Sequence, residues 1–208
     1  MNGAATLNVN PDIATLNVQV TANGKTTSEA INNLSQKINN VLSTLTNIGL
    51  NSNNWQTTSL SVYPNSSFVN GGQVIYGQIA QQSMTVSIPM PKSNGTTVGR
   101  IYDGLAQISD IAINSLTFDL QDKTSSYTQA RSLAYQDAVK RATDYTNAAG
   151  VTLQAPLTVT DSFSTAPVVT PLGRESLVAS AMMMEVPTTV SVGTIAISYN
   201  MAVTFSFA

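Results

Sequence analysis

Along residues 13–120 the spacing of apolar residues switches between the strand period of two and the helical period of about 3.6, and the order of the switches constrains the fold more than any motif does. Residues 13–20 set Leu16, Val18 and Val20 on one face, a half-buried strand that Pro11 keeps from extending backward. Asn23-Gly24 turns the chain. Thr26 and Glu29 then form a capping box, and Ile31, Leu34, Ile38, Val41, Leu42, Leu45 and Ile48 recur at helical spacing as far as Gly49. Asn32, Asn33, Gln36, Asn39 and Asn40 take the wet side of that helix. Residues 55–63 alternate as a strand ending at Pro64. After a loop with Asn70-Gly71-Gly72, a second strand from Val74 to Met90 completes a long antiparallel hairpin. Asn94-Gly95 opens a shorter helix lined by Val98, Ile101, Leu105 and Ile108, and residues 113–120 form another strand.

The order β-α-β-β-α-β predicts an α+β fold: an antiparallel sheet with a ferredoxin-like core and both helices on one face. A long third helix follows from Thr124 to Ala149, with Tyr127, Ala130, Ala134, Ala138, Ala142, Tyr145 and Ala149 inward. Small residues on a helix face permit close approach to a sheet. Residues 157–163 and 194–207 read as a C-terminal β-hairpin, whose last strand aligns Ile195, Ile197, Tyr199, Met201, Val203, Phe205 and Phe207. Between them residues 165–188 are irregular and punctuated by Pro167, Pro171 and Pro187. No repeat or linker divides the sequence, so 1–208 is expected as a single domain. Residues 1–122 carry the β-α-β-β-α-β part, and 123–208 the helix and the long-looped hairpin.

Charged residues make up only 10% of the chain, against the usual quarter or so, and the net charge is −2. The surface is therefore expected to be neutral and hydrogen-bonding, with no footprint for nucleic acid or for anionic membranes. There is no Cys and no His. That removes disulfides, thiol nucleophiles, the commonest metal ligands and the commonest general base. No cofactor is expected. No stretch reaches the roughly 18 apolar residues of a transmembrane helix. The N-terminus lacks a basic, then apolar, leader, so the chain reads as cytosolic or as a mature form whose export signal has been removed.

In their order and spacing, several pieces resemble the SIMPL domain (DUF541) family, which includes bacterial periplasmic immunogenic proteins. They are Pro11-Asp12-Ile13-Ala14, Gln56-Thr57 with Val62-Tyr63-Pro64, Phe118-Asp119-Leu120, and the helix with Ala130-Arg131, Ala134, Asp137-Ala138, Ala142 and Ala148-Ala149-Gly150-Val151. Gly193 and the alternation to Phe207 also fit. The chain departs from the family at Gly77-Gln78, where Gly-Tyr is frequent, and at Val192-Gly193, where Pro-Gly is frequent. The resemblance implies an extracytoplasmic protein of the periplasm, cell surface or secreted fraction. It also implies self-assembly into rings or larger oligomers, a link to envelope stress tolerance, and no active site to carry over.

Few residues stand out as candidate sites. Asp119 and Asp122 precede the third helix, where carboxylates are favourable through capping alone. Arg131 suits a fold-fixing pair with Asp119 or Asp122. Asp137 and Arg141 form an i,i+4 surface pair. Met182, Met183 and Met184 form an adaptable apolar stretch that either folds back or meets a second subunit. Asn33, Asn65 and Asn94 begin Asn-x-Ser/Thr sequons, the last two expected in loops. The leading expectation is a homo-oligomer joined through sheet edges and residues 165–188. The alternative is a monomeric module binding a ligand or glycan through Trp55, Tyr63, Phe68 and Tyr76. An enzyme is not expected.

Overall fold

From the N-terminus the elements run β1 (Asn2–Val9), β2 (Ile13–Gly24), α1 (Thr27–Asn47), β3 (Trp55–Val69), β4 (Gly72–Pro89), α2 (Thr96–Ala106), β5 (Ile111–Asp119), α3 (Thr124–Ala149), β6 (Leu153–Phe163), β7 (Val168–Thr170) and β8 (Thr194–Phe207). The computed structural model describes residues 1–69, 71–90, 95–163, 168–170 and 188–208. The chain divides into two compact units.

One unit holds β2 to β5 with α1 and α2. Its antiparallel sheet has the order β3-β4-β2-β5, the arrangement that the β-α-β-β-α-β alternation predicts. Strand β2 is central, and its even residues Ala14, Leu16, Val18, Val20 and Ala22 are all buried. They meet Leu34, Ile38, Val41 and Leu45 of α1 and Val98, Ile101 and Leu105 of α2 in one core. Each fully buried aliphatic side chain contributes about 1.5–3 kcal/mol, so this stripe dominates the stability of the unit. Thr26 Oγ1 accepts from Glu29 N at 3.2 Å, as a capping box requires. Glu29 returns the bond to Lys25 N at 2.9 Å, one residue before the cap. Ile31, expected inward, is 39% exposed, because the buried stripe starts at Ala30 and leaves Ile31 on its flank. Farther along, Thr188 N donates to Asp103 of α2 at 3.1 Å.

Pro64 does not end β3. The strand continues to Val69, with Pro64 opposite Gln78. Strand β3 lies at the edge of its sheet, where half of the backbone has no ladder partner and a missing N–H is tolerated. Asn65 consequently lies within a strand, at a shift in register, and not in a loop. Asn94 lies outside the described residues.

The other unit holds β1, α3, β6, β7 and β8. Strand β8 is the centre of its sheet: β1 pairs antiparallel with residues 195–202, while β6 and β7 share the opposite side. The expected β6–β8 pair is present, and β1 is added to it. Helix α3 covers this sheet with Ser126, Ala130, Ala134, Ala138, Ala142 and Thr146, one residue every four. The approach is very close: a Cβ added to Gly3 would lie 2.1 Å from the Ala134 carbonyl oxygen and 2.8 Å from Ala138 Cβ. That seam has no room for a ring or a long side chain. Tyr145 and Ala149, expected inward, are therefore exposed, and Thr146 takes the buried place with its hydroxyl on Thr143 O at 3.1 Å.

Candidate functional site

Strand β2 pairs with β4 only as far as Gln78, so beyond that point β3 and β4 continue as a ribbon without a third strand. The ribbon leaves the sheet at Gly77, where an added Cβ would meet Gly24 O at 2.5 Å. Its pairs are Phe68 with Gln73, Ser67 with Val74 and Ser66 with Ile75, while the turn brings Val69 opposite Gly72. Gln73 Nε2 donates to Ser66 Oγ at 2.8 Å, and nearer the sheet the Tyr63 hydroxyl donates to Gln81 Oε1 at 3.2 Å. Phe68 is 77% exposed, Ile75 61% and Tyr76 59%, with Leu60, Tyr63 and Val74 exposed as well. A two-stranded hairpin cannot bury both of its faces, so Phe68, Val74, Ile75 and Tyr76 have nothing to pack on, while Leu60 and Tyr63 stand exposed on the three-stranded part. No charged residue occurs from residue 38 to residue 91. The result is a projecting apolar surface without electrostatic protection. Trp55 belongs elsewhere: it is half-buried against the core.

Arg131 meets a different carboxylate from the one its sequence neighbours offered. Its Nε donates to the Tyr199 hydroxyl at 3.0 Å and lies 3.7 Å from Asp161 Oδ2, while the guanidinium carbon is 5.5 Å from the Tyr199 ring centre. The Tyr199 hydroxyl in turn donates to Asp161. The geometry follows from α3 lying over β8, which brings Arg131 to the strand pair β6–β8 instead of to its own N-terminus. The bond to Tyr199, followed by the nearby Asp161, pushes the guanidinium pKa further up. Asp122 caps the first turn of α3 instead, accepting from Thr124 N at 2.8 Å. Hydrogen bonds from the Thr124 side chain and backbone hold its carboxyl below the usual range. Asp119 ends β5, and its carbonyl accepts from Asp12 N at 3.1 Å. Met182, Met183 and Met184, like most of the 165–188 segment, lie outside the described residues.

Two groups in this unit were not among the sequence candidates, Tyr199 and Asp161. A usable signal was present for the first: a tyrosine at an inward position of an otherwise apolar face needs a partner for its hydroxyl. Asp137 forms the expected surface pair with Arg141, at 3.0 Å, and also accepts from Ala4 N of β1 at 3.0 Å. The Ala4 N–H, and after it Arg141, hold its carboxyl below the usual range. An apolar hollow of about 450 Å³ lies at the end of α3, between Tyr145, Val151, Leu153, Phe205 and Phe207. Among the described residues no three acidic side chains gather as a metal site would require. Among them, too, no helix is long and apolar enough to cross a membrane.

Fold and surface together define an α+β protein whose distinctive features are exposed strand edges and apolar surface. The chain belongs to the SIMPL family, described as a protein of unknown function (DUF541), which it matches over residues 1–205. No curated protein matches the sequence.

Proposed function

We propose that the protein is a non-catalytic, exported envelope or surface protein that acts by self-assembly into a ring or larger oligomer. One observation carries this reading: the β3–β4 ribbon exposes Phe68, Ile75 and Tyr76 on a stretch of chain without a single charge. Identical neutral surfaces do not repel one another, and an unpaired strand edge offers a row of backbone donors and acceptors. Membership of the SIMPL family supports an extracytoplasmic location. Light scattering over a range of concentrations tests the assembly. A mass that rises to a multiple of the chain mass agrees with it, and a strict monomer at high concentration defeats it.

The exposure of Tyr63, Phe68 and Tyr76 favours one second reading, in which the same rings stack on a glycan. It differs in its readout: a soluble oligosaccharide would perturb the ring resonances of a monomer without changing its mass.

A further inference from the structure

We propose that the concave face between α1 and the turn after α2 binds a neutral polyhydroxylated ligand, a single sugar ring, at a site separate from the ribbon. Asn33, Gln36, Lys37 and Asn40 stand at i, i+3, i+4 and i+7 on α1, so one helix face presents three amides and an ammonium to the same space. Gln107 and Asp110, from the turn between α2 and β5, close the other side. The open concavity they line measures about 580 Å³, within the range of small-molecule sites.

Half of these groups are fixed in advance. Asn33 Nδ2 donates to Asn23 O at 2.9 Å. Lys37 Nζ donates to Thr21 O at 3.0 Å and pairs with Asp110. Asp110 itself stands at φ 60°, a left-handed conformation uncommon for any residue but glycine, and Thr21 N holds its carbonyl at 3.0 Å. The side-chain amides of Gln36, Asn40 and Gln107, by contrast, have no hydrogen-bond partner among the described residues. Three amides without protein partners thus converge on a rigid floor.

The chemistry of the lining selects the ligand class. Lys37 and Asp110 neutralise each other, so the site favours neither phosphate nor a free cation. The walls are mostly amide and hydroxyl, which disfavours an acyl chain or a flat apolar ring. Each carboxamide offers a donor and an acceptor side by side, the pattern that adjacent hydroxyls on a sugar ring satisfy in both directions. Since among the described residues no aromatic ring lines the concavity for stacking, binding belongs in the millimolar range.

The test is a titration of the isotope-labelled full chain with glucose, galactose and N-acetylglucosamine, each alone, followed through the side-chain amide resonances. Expected are saturable shifts of the Gln36, Asn40 and Gln107 amides with at least one sugar, and none with inorganic phosphate. Asn40→Ala and Gln107→Ala alter exposed residues, so both variants should melt like the parent while each weakens binding by about tenfold. The proposal is overturned by any of three results: no saturable shift with the three sugars, unchanged binding in the double variant, or shifts confined to the Tyr63, Phe68 and Tyr76 rings. Stronger shifts with an Asn/Gln-rich peptide than with any sugar would overturn it too. Because the readout does not depend on mass, its failure leaves self-assembly standing, and the reverse holds.

Discussion

The Nε of Arg131 on α3 donates to the hydroxyl of Tyr199 on β8 at 3.0 Å, tying a half-exposed cation to a ring that is 1% exposed. With Asp161 on the far side of the hydroxyl, three elements meet at one oxygen. Tyr199 therefore works as a core residue at its ring and as a polar junction at its tip.

Replacing Tyr199 with Phe keeps the packing and removes that junction. A net hydrogen bond contributes about 1 kcal/mol, so the melting temperature should fall by about 2–4 °C. Arg131→Lys lacks the Nε donor, so its effect should not add to that of Tyr199→Phe. Circular-dichroism melts of the two single variants and the double variant decide it, and full additivity would refute the junction.

Gly3→Ala should destabilise by about 1–3 kcal/mol, since the new methyl enters the seam between β1 and the alanines of α3. Ala138→Leu should do the same from the opposite side. Ala4→Ser, on the exposed face of β1, should stay within about 0.5 kcal/mol. Urea midpoints at constant slope are the measurement.

Acid should loosen the β1–α3 contact first. The Asp137 carboxyl is held below its ordinary pKa of 3.8, so its contribution is complete above that value and disappears as the pH falls through the lower folded value. Asp122 at the start of α3 has the same sign. Arg131 is shifted upward, so its contribution is present throughout the acid and neutral range. Asp137→Asn should then be less stable than the parent near neutrality, with the gap closing as the pH falls below 3.8 and through the lower folded value. A gap that stays constant with pH would show that the charge is irrelevant.

Exchanging Phe68 and Tyr76 together for Ser should lower the assembled mass to that of the monomer and leave the melting temperature nearly unchanged, because neither ring contributes to the core. Sulfate should strengthen the parent's assembly and not screen it, since residues 38–91 carry no charge.

Much of this was legible in the residues. The periods of Leu16 to Val20, Leu34 to Leu45 and Ile195 to Val203 are long, regular and set by local geometry, so these strands and this helix stand where expected, whereas β7 falls in a segment expected to be irregular. What failed was whatever depended on a distant neighbour. The pairing of β1 with residues 195–202 spans nearly the whole chain, and nothing local to Asn2–Val9 names its partner. Tyr145 has the right spacing for the seam but not the right size, and the seam's narrowness is visible only once Gly3 stands opposite Ala134. Pro64 looks like a stop in the sequence, and only its strand's place at the sheet edge makes it tolerable within β3. For Arg131, nearness in sequence favoured Asp119 and Asp122, whereas nearness in space gave Asp161. The ribbon lay between these cases: its aromatic residues and lack of charge are plain in the sequence, but their exposure follows from β2 pairing no farther than Gln78.

The antiparallel pairing of β1 with β8 also has a consequence in time. Made from its N-terminus, the chain releases β1 long before β8, so residues 2–9 wait unpaired while every other element is made. The sheet of β2 to β5 needs no such wait and can pair early, with Val190 and Val192 added to its core later, whereas the sheet around β8 is finished only when that strand arrives. Truncation by a dozen residues at the C-terminus would therefore leave three strands stranded, and the chain is poorly suited to losing its tail.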